Sequence, residues 1–203
     1  MYIYMKLKDI LREIEEPTNT FQMYHGGKRW SRIPTEIINS RKNRYEAGVG
    51  IYFTNDYNTA RRYAKGSRVV HLVDIDKNFK RLKDVYIPVT ELVEFVKNAS
   101  GMRHKTELIQ SIMRCAERMG KDTLSADVLN NLIVNHEAGA GKAGVLVANF
   151  FVSKGADASI ENQHGEEFWL VVFNPKIIKK VSVVDPKVVG SDFPFLLPRV
   201  DRL

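Results

Sequence analysis

Only one cysteine, Cys115, occurs in the chain, so no disulfide can close within it, and the lack of others argues against a cysteine-rich zinc site. No apolar run approaches the roughly 20 residues that a bilayer-crossing helix needs, and no membrane partner is expected. Residues Met1 to Pro17 lack an apolar core followed by a small-residue cleavage site, so they do not read as a secretory signal. They read as an amphipathic helix, with Leu7, Ile10, Leu11 and Ile14 at helical spacing. The five histidines show no metal-ligand spacing and no metal is expected; no serine stands in a nucleophile elbow. A phosphate-binding loop is missing too. His136 stands where such a loop needs its first glycine, and Ala143 follows Lys142 where it needs Ser or Thr. There is no repeat and no low-complexity linker. Together these features lead to the expectation of a cytoplasmic protein.

What remains is the composition of an ordinary globular domain, 44% hydrophobic and 27% charged over 203 residues. Its charge is unevenly placed. Residues 1–87 carry 17 Lys and Arg against 10 Asp and Glu, while residues 88–203 carry 14 of each. The excess is densest at Lys28, Arg29, Arg32, Arg41, Lys42 and Arg44, and again at Arg61, Arg62, Lys65 and Arg68. Such a surface serves solubility, or it meets the phosphates of a nucleotide or a nucleic acid.

Periodicity divides the chain into three parts. Thr20 to Tyr24 reads as a strand leading into a flexible turn at His25-Gly26-Gly27. Val49 to Thr54 and Arg68 to Ile75 read as two further strands, with a helix of about Thr59 to Lys65 capped from Asn55-Asp-Tyr-Asn. Residues 88–155 are helical, over Thr90 to Asn98, Thr106 to Met119, Ser125 to His136 and Gly144 to Lys154. Strands resume at Ala158 to Glu161, Glu167 to Phe173 and Lys180 to Val184. The expectation is one α+β domain over residues 1–203, with a helical segment of about 88–155 between two β-rich parts.

Three pieces carry chemistry. The paired glycines after His25 let a ligand approach the backbone closely. In Gly50-Ile-Tyr-Phe-Thr and the helix that follows, Tyr52 and Tyr63 stand eleven positions apart, placed to converge on one flat ligand. Strand alternation puts Glu167 on a face with Trp169, Val171 and Phe173, where a carboxylate is costly unless it has a partner or a task. The same alternation sends Glu166 to the other face, leaving Glu167 as the better candidate.

In that order, Tyr24-His25-Gly26, Gly50-Ile-Tyr52-Phe-Thr with Tyr63, and Gly165-Glu-Glu167-Phe before Val171-Val-Phe173-Asn-Pro resemble the ADP-ribosyltransferase family. The likeness is to its His-Tyr-Glu branch, shared by diphtheria-type toxins, poly(ADP-ribose) polymerases and small bacterial or phage-borne members. It is anchored over about residues 20–75 and 155–184 and does not cover the helical segment. It implies a split antiparallel sheet, and NAD as substrate with no metal; the helical segment inserted between the two β-rich parts is expected to shape target access. It also implies an acceptor that is nucleic acid or protein, and an antitoxin or inhibitor protein as a further partner, as for an intracellular toxin, antiphage effector or phage-encoded host modifier. By the same resemblance His25 would bond the adenosine ribose, Gly26 the nicotinamide amide, Tyr52 and Tyr63 the nicotinamide ring, and Glu167 the ribose 2′-hydroxyl; Arg61 would meet the cofactor from the basic surface. Some relatives carry a serine three positions before the second tyrosine, where this chain has Ala60. Gly165 stands two before Glu167, where arginine- or base-modifying relatives often carry Gln or Glu. An NAD glycohydrolase, an RNA 2′-phosphotransferase on a related fold and a non-catalytic nucleic-acid or partner-binding protein stay open beside the transferase reading.

Overall fold

A computed structural model describes residues 19–37, 47–64, 66 and 69–199. The amphipathic helix expected before Pro17, and Arg41, Lys42, Arg44, Lys65 and Arg68 of the basic stretch, lie outside the described residues. Eight short strands form among the described residues: β1 (Thr20–Gly27), β2 (Ile51–Thr54), β3 (Val69–Asp76), β4 (Tyr86–Pro88), β5 (Thr123–Ser125), β6 (Ala158–Asn162), β7 (Phe168–Val172) and β8 (Ile178–Val183). Six make one antiparallel sheet in the order β6-β7-β2-β1-β3-β8, while β4 and β5 pair with each other. Five helices accompany them among the described residues: α1 (Tyr57–Tyr63), α2 (Val89–Asn98), α3 (Lys105–Met119), α4 (Ala126–Asn135) and α5 (Lys142–Ser153). The protein is α+β, with its helices concentrated between β3 and β6.

One expectation is corrected at once. His25, Gly26 and Gly27 do not form a turn but continue β1, because β3 pairs with them residue by residue (His25 with His71, Gly26 with Val70, Gly27 with Val69). A glycine pair breaks a strand only where no neighbour holds it extended. On its other side β1 registers with β2 at a single pair, Tyr24 opposite Thr54. The β1–β2 ladder is therefore the shortest in the sheet, while β2–β7 and β1–β3 are zipped over longer runs.

Alternation along the strands gives the sheet two different faces. One carries Phe21, Met23, Phe53, Val73, Ile75, Leu170 and Val172 into a core closed by Trp30, Ile33, Phe79 and Ile177. The opposite face is covered by two separate bodies. Helix α1 lies over β1 and β3 through Tyr57 and Ala60, against Tyr24, Val70 and Leu72. The helical segment lies over β2 and β7, where Tyr52, Val171 and Phe173 join a core containing Leu92, Leu108, Leu129, Val147 and Phe151. Helix α1 sits so close that a Cβ on Gly26 would fall 1.7 Å from the Ala60 carbonyl oxygen. Glycine is required there for the helix to seat.

A single buried side chain ties these parts together. Asn55, fully excluded from solvent, follows β2. Its Nδ2 donates to the carbonyls of Glu166 and Leu197, both at 3.0 Å, and its Oδ1 accepts from Phe168 N at 2.9 Å. Its own carbonyl accepts from Leu197 N at 2.9 Å. The next residue, Asp56, caps α1 by accepting from Thr59 N at 3.0 Å. The C-terminal segment is strapped down alongside, with Tyr24 Oη donating to Pro194 O at 2.6 Å and Tyr57 N to Phe195 O at 2.8 Å. Replacing Asn55 by Ala leaves two carbonyls and one amide unpaired in a dry site. The expected loss is about 2–4 kcal/mol of unfolding free energy by urea denaturation; an unchanged midpoint would contradict the clasp.

Candidate active site

The cleft that gathers the chemistry lies between α1 and the turn joining β6 to β7. It has a volume of about 480 Å³ and is lined by Thr59, Arg62, Tyr63, Gln163, His164, Glu167 and Trp169. Thr59, Arg62 and Tyr63 come from one stripe of α1, since residues three and four apart share a helix face. Gln163 and His164 belong to the turn, closed by Gln163 N donating to Glu167 O at 3.0 Å and reversed at Gly165, whose φ is +68°.

Glu167 is the sole carboxylate among the lining residues. It stands one residue ahead of β7 rather than within it, yet keeps the face of Trp169. Its Oε1 accepts from Thr54 Oγ1 at 3.1 Å and from Trp169 Nε1 at 2.9 Å. Glu166 is exposed outside the cleft, in keeping with the parity argument.

The two tyrosines are placed differently from each other. Tyr63 ends α1 and is 54% exposed at the cleft. Tyr52 is partly buried beside it and does not line the cleft itself. Its ring meets Trp169 edge-on, centroids 6.1 Å apart, and its hydroxyl donates to Gly48 O at 2.5 Å while accepting from Ala47 N at 3.1 Å. The collar at Ala47 is in turn held by α4, whose buried Asn130 donates to Ala47 O at 3.2 Å. The helical segment thus braces Tyr52 from behind. It gives no residue to the cleft lining.

His25 reaches the same neighbourhood from the other face of the sheet. Where the β1–β2 ladder stops, its Nδ1 donates to the Tyr52 carbonyl at 2.8 Å. A carbonyl only accepts, so Nδ1 carries the proton and Nε2 keeps a lone pair. A Cβ on Gly27 would stand 2.8 Å from that Nε2, so the glycine leaves room for the ring. The ring stacks on Trp30 at 4.5 Å, and His71 lies 5.8 Å away. Burial pushes the His25 pKa down to about 4, partly offset by the Tyr52 carbonyl and helped by His71. His71, fully buried, is lowered in the same direction by burial, and its Nε2 accepts from Trp30 N at 3.1 Å.

Of the sequence-derived residues, the structure brings Glu167 and Tyr63 into the cleft and sets Tyr52 and His25 in a chain of direct contacts behind it. Gly26 faces α1 and does not line the cleft; nor does Arg61, whose neighbour Arg62 takes that place. Thr54, Asn55 and Trp169 were missed as site residues. Trp169 alone carried a signal, since it shares the face of Glu167. No protein-family model matches this chain, and no curated protein or solved structure is detectably similar to it.

The histidine chemistry sets a pH dependence. His25 is held neutral well below the usual 6.5, so the unfolded chain binds a proton that the folded chain refuses. Its contribution is whole above pH 6.5 and is lost as pH falls toward about 4. Chemical denaturation of wild type and His25→Asn across pH 4–7 should show the stability gap between them shrinking on acidification. A gap independent of pH would contradict the assignment.

Proposed function

We propose that the protein is an NAD-dependent ADP-ribosyltransferase, on a split sheet of that family's type, which modifies a nucleic acid and releases nicotinamide. The observation that carries this reading is a lone carboxylate, Glu167, fixed by two donors in the cleft that receives Tyr63, with Tyr52 one ring contact away through Trp169. The cleft is within the size range of small-molecule sites. The single register point between β1 and β2, bridged by His25 and the Tyr52 carbonyl, supports the split-sheet reading.

The chemistry suits these groups. The bond between ribose C1′ and the nicotinamide nitrogen breaks with its electron pair going to the ring, which loses its positive charge and leaves neutral. The sugar develops oxocarbenium character, and a fixed carboxylate beside it lowers the barrier electrostatically. An acceptor lone pair then forms the new bond to C1′, and the acceptor's proton passes to Glu167 or to water. Tyrosine faces favour a planar cation such as the bound nicotinamide ring. The Nε2 lone pair of His25 suits a ribose hydroxyl as donor. A neutral His25 at physiological pH keeps that acceptor available.

Charge at the cleft favours a nucleic acid as the acceptor. Arg62 and His164 stand at the cleft, and Glu167 is its single acid. A cationic side chain would meet a guanidinium on entry, whereas a phosphodiester chain would be drawn to it. The deciding assay uses NAD labelled on its adenylate, mixed separately with RNA, DNA and cell protein. The expected outcome is nicotinamide release with label on RNA or DNA, and a loss of about 10²–10³-fold in rate for Glu167→Gln. Label on protein would overturn the acceptor, free ADP-ribose alone would make water the acceptor, and no nicotinamide release would overturn the enzyme.

A further inference from the structure

The two oxygens of the Glu167 carboxylate are in different circumstances. Both hydrogen bonds to the group, from Thr54 Oγ1 and Trp169 Nε1, converge on Oε1. Oε2 has no hydrogen-bond partner among the described residues. The two donors are themselves fixed as a pair: Thr54 and Trp169 are register partners across β2 and β7. Thr54 Oγ1 accepts from Asp56 N at 3.0 Å, which leaves its one proton for Glu167. The indole N–H of Trp169 can only donate, and its ring is held edge-on against Tyr52.

The backbone of Glu167 is gripped as well. Asn55 bonds the carbonyl of Glu166 and the amide of Phe168, the peptide groups on either side of the Glu167 Cα. Main chain and one carboxylate oxygen are thereby set, so the second oxygen has one place to point.

We propose that Trp169 and Thr54 are positioning residues for Glu167, which hold Oε1 so that Oε2 is the oxygen presented to the reacting sugar. This rests on the ADP-ribosyltransferase reading of the cleft. A carboxylate that must find its orientation anew at each turnover loses the benefit of preorganisation, so removing either donor should slow the chemical step more than it weakens NAD binding.

Nicotinamide release by the full chain, read as kcat and KM for NAD together with the melting temperature, tests this. Trp169→Phe keeps the ring against Tyr52 and deletes the N–H; Thr54→Val deletes the hydroxyl, and Thr54→Ser restores it. Each deletion should lower kcat about 10–100-fold with KM for NAD within about threefold, and Thr54→Ser should recover most of the loss. In a Glu167→Gln background, Trp169→Phe should add less than about threefold, because its effect runs through Glu167. A Trp169→Phe loss of equal size in both backgrounds, a change confined to KM, or full activity in a folded Trp169→Phe protein would each overturn the positioning role while leaving the transferase reading intact. A wild-type protein that releases no nicotinamide would overturn both.

Discussion

The Asn55 carboxamide is the constraint on which the geometry of the site depends. Its three polar bonds reach residues 111 to 142 positions away, in the β6–β7 hairpin and the C-terminal strap. In a dry junction no group can slip without stranding another, and each stranded group costs about 1–3 kcal/mol. The junction therefore has one arrangement. From it the chemistry extends in both directions along the chain: Thr54, one residue back, donates to Glu167, and Asp56, one residue on, starts the helix that ends at Tyr63. Three consecutive residues set the carboxylate, its donor and the aromatic wall.

The rest of the fold supplies what that clasp needs on each side. Helix α1 seats against β1 only because Gly26 has no side chain. The helical segment packs behind β2 and β7 and holds the Tyr52 hydroxyl through the collar at Ala47 and Gly48. The opposite face delivers His25 through the gap beyond Tyr24 and Thr54, where an imidazole takes the carbonyl bond that a strand neighbour would otherwise make. One core on one face and two on the other flank a sheet whose shortest ladder lies between β1 and β2.

Much of this was legible in the residues. The α+β class, the helical segment and nearly every long element follow from periodicity, with boundaries off by one to three residues. Strands β4 and β5 were not, because three residues give no periodicity to read. The cap expected from Asn55-Asp-Tyr-Asn is supplied by Asp56, while the clasp made by Asn55 was not legible because its partners lie more than a hundred residues off. The structure lines the cleft with Arg62 rather than Arg61, and helical geometry makes that legible: residues three and four apart put Thr59 and Arg62 on the stripe of Tyr63. Strand parity put Glu167 on the face of Trp169 and Glu166 on the other, and the structure places them so, even though β7 begins one residue later than expected.

On the proposed function, the cleft binds NAD with its reactive bond beside Glu167. A crystal structure of the Glu167→Gln variant soaked with NAD tests it most directly, since slowed cleavage preserves the bound substrate. The expected result is a nicotinamide ring packed against Tyr63 near Tyr52, with the adjoining ribose within about 3 Å of the side chain at position 167. NAD bound away from the cleft, or a cleft that stays empty at millimolar NAD, would contradict it.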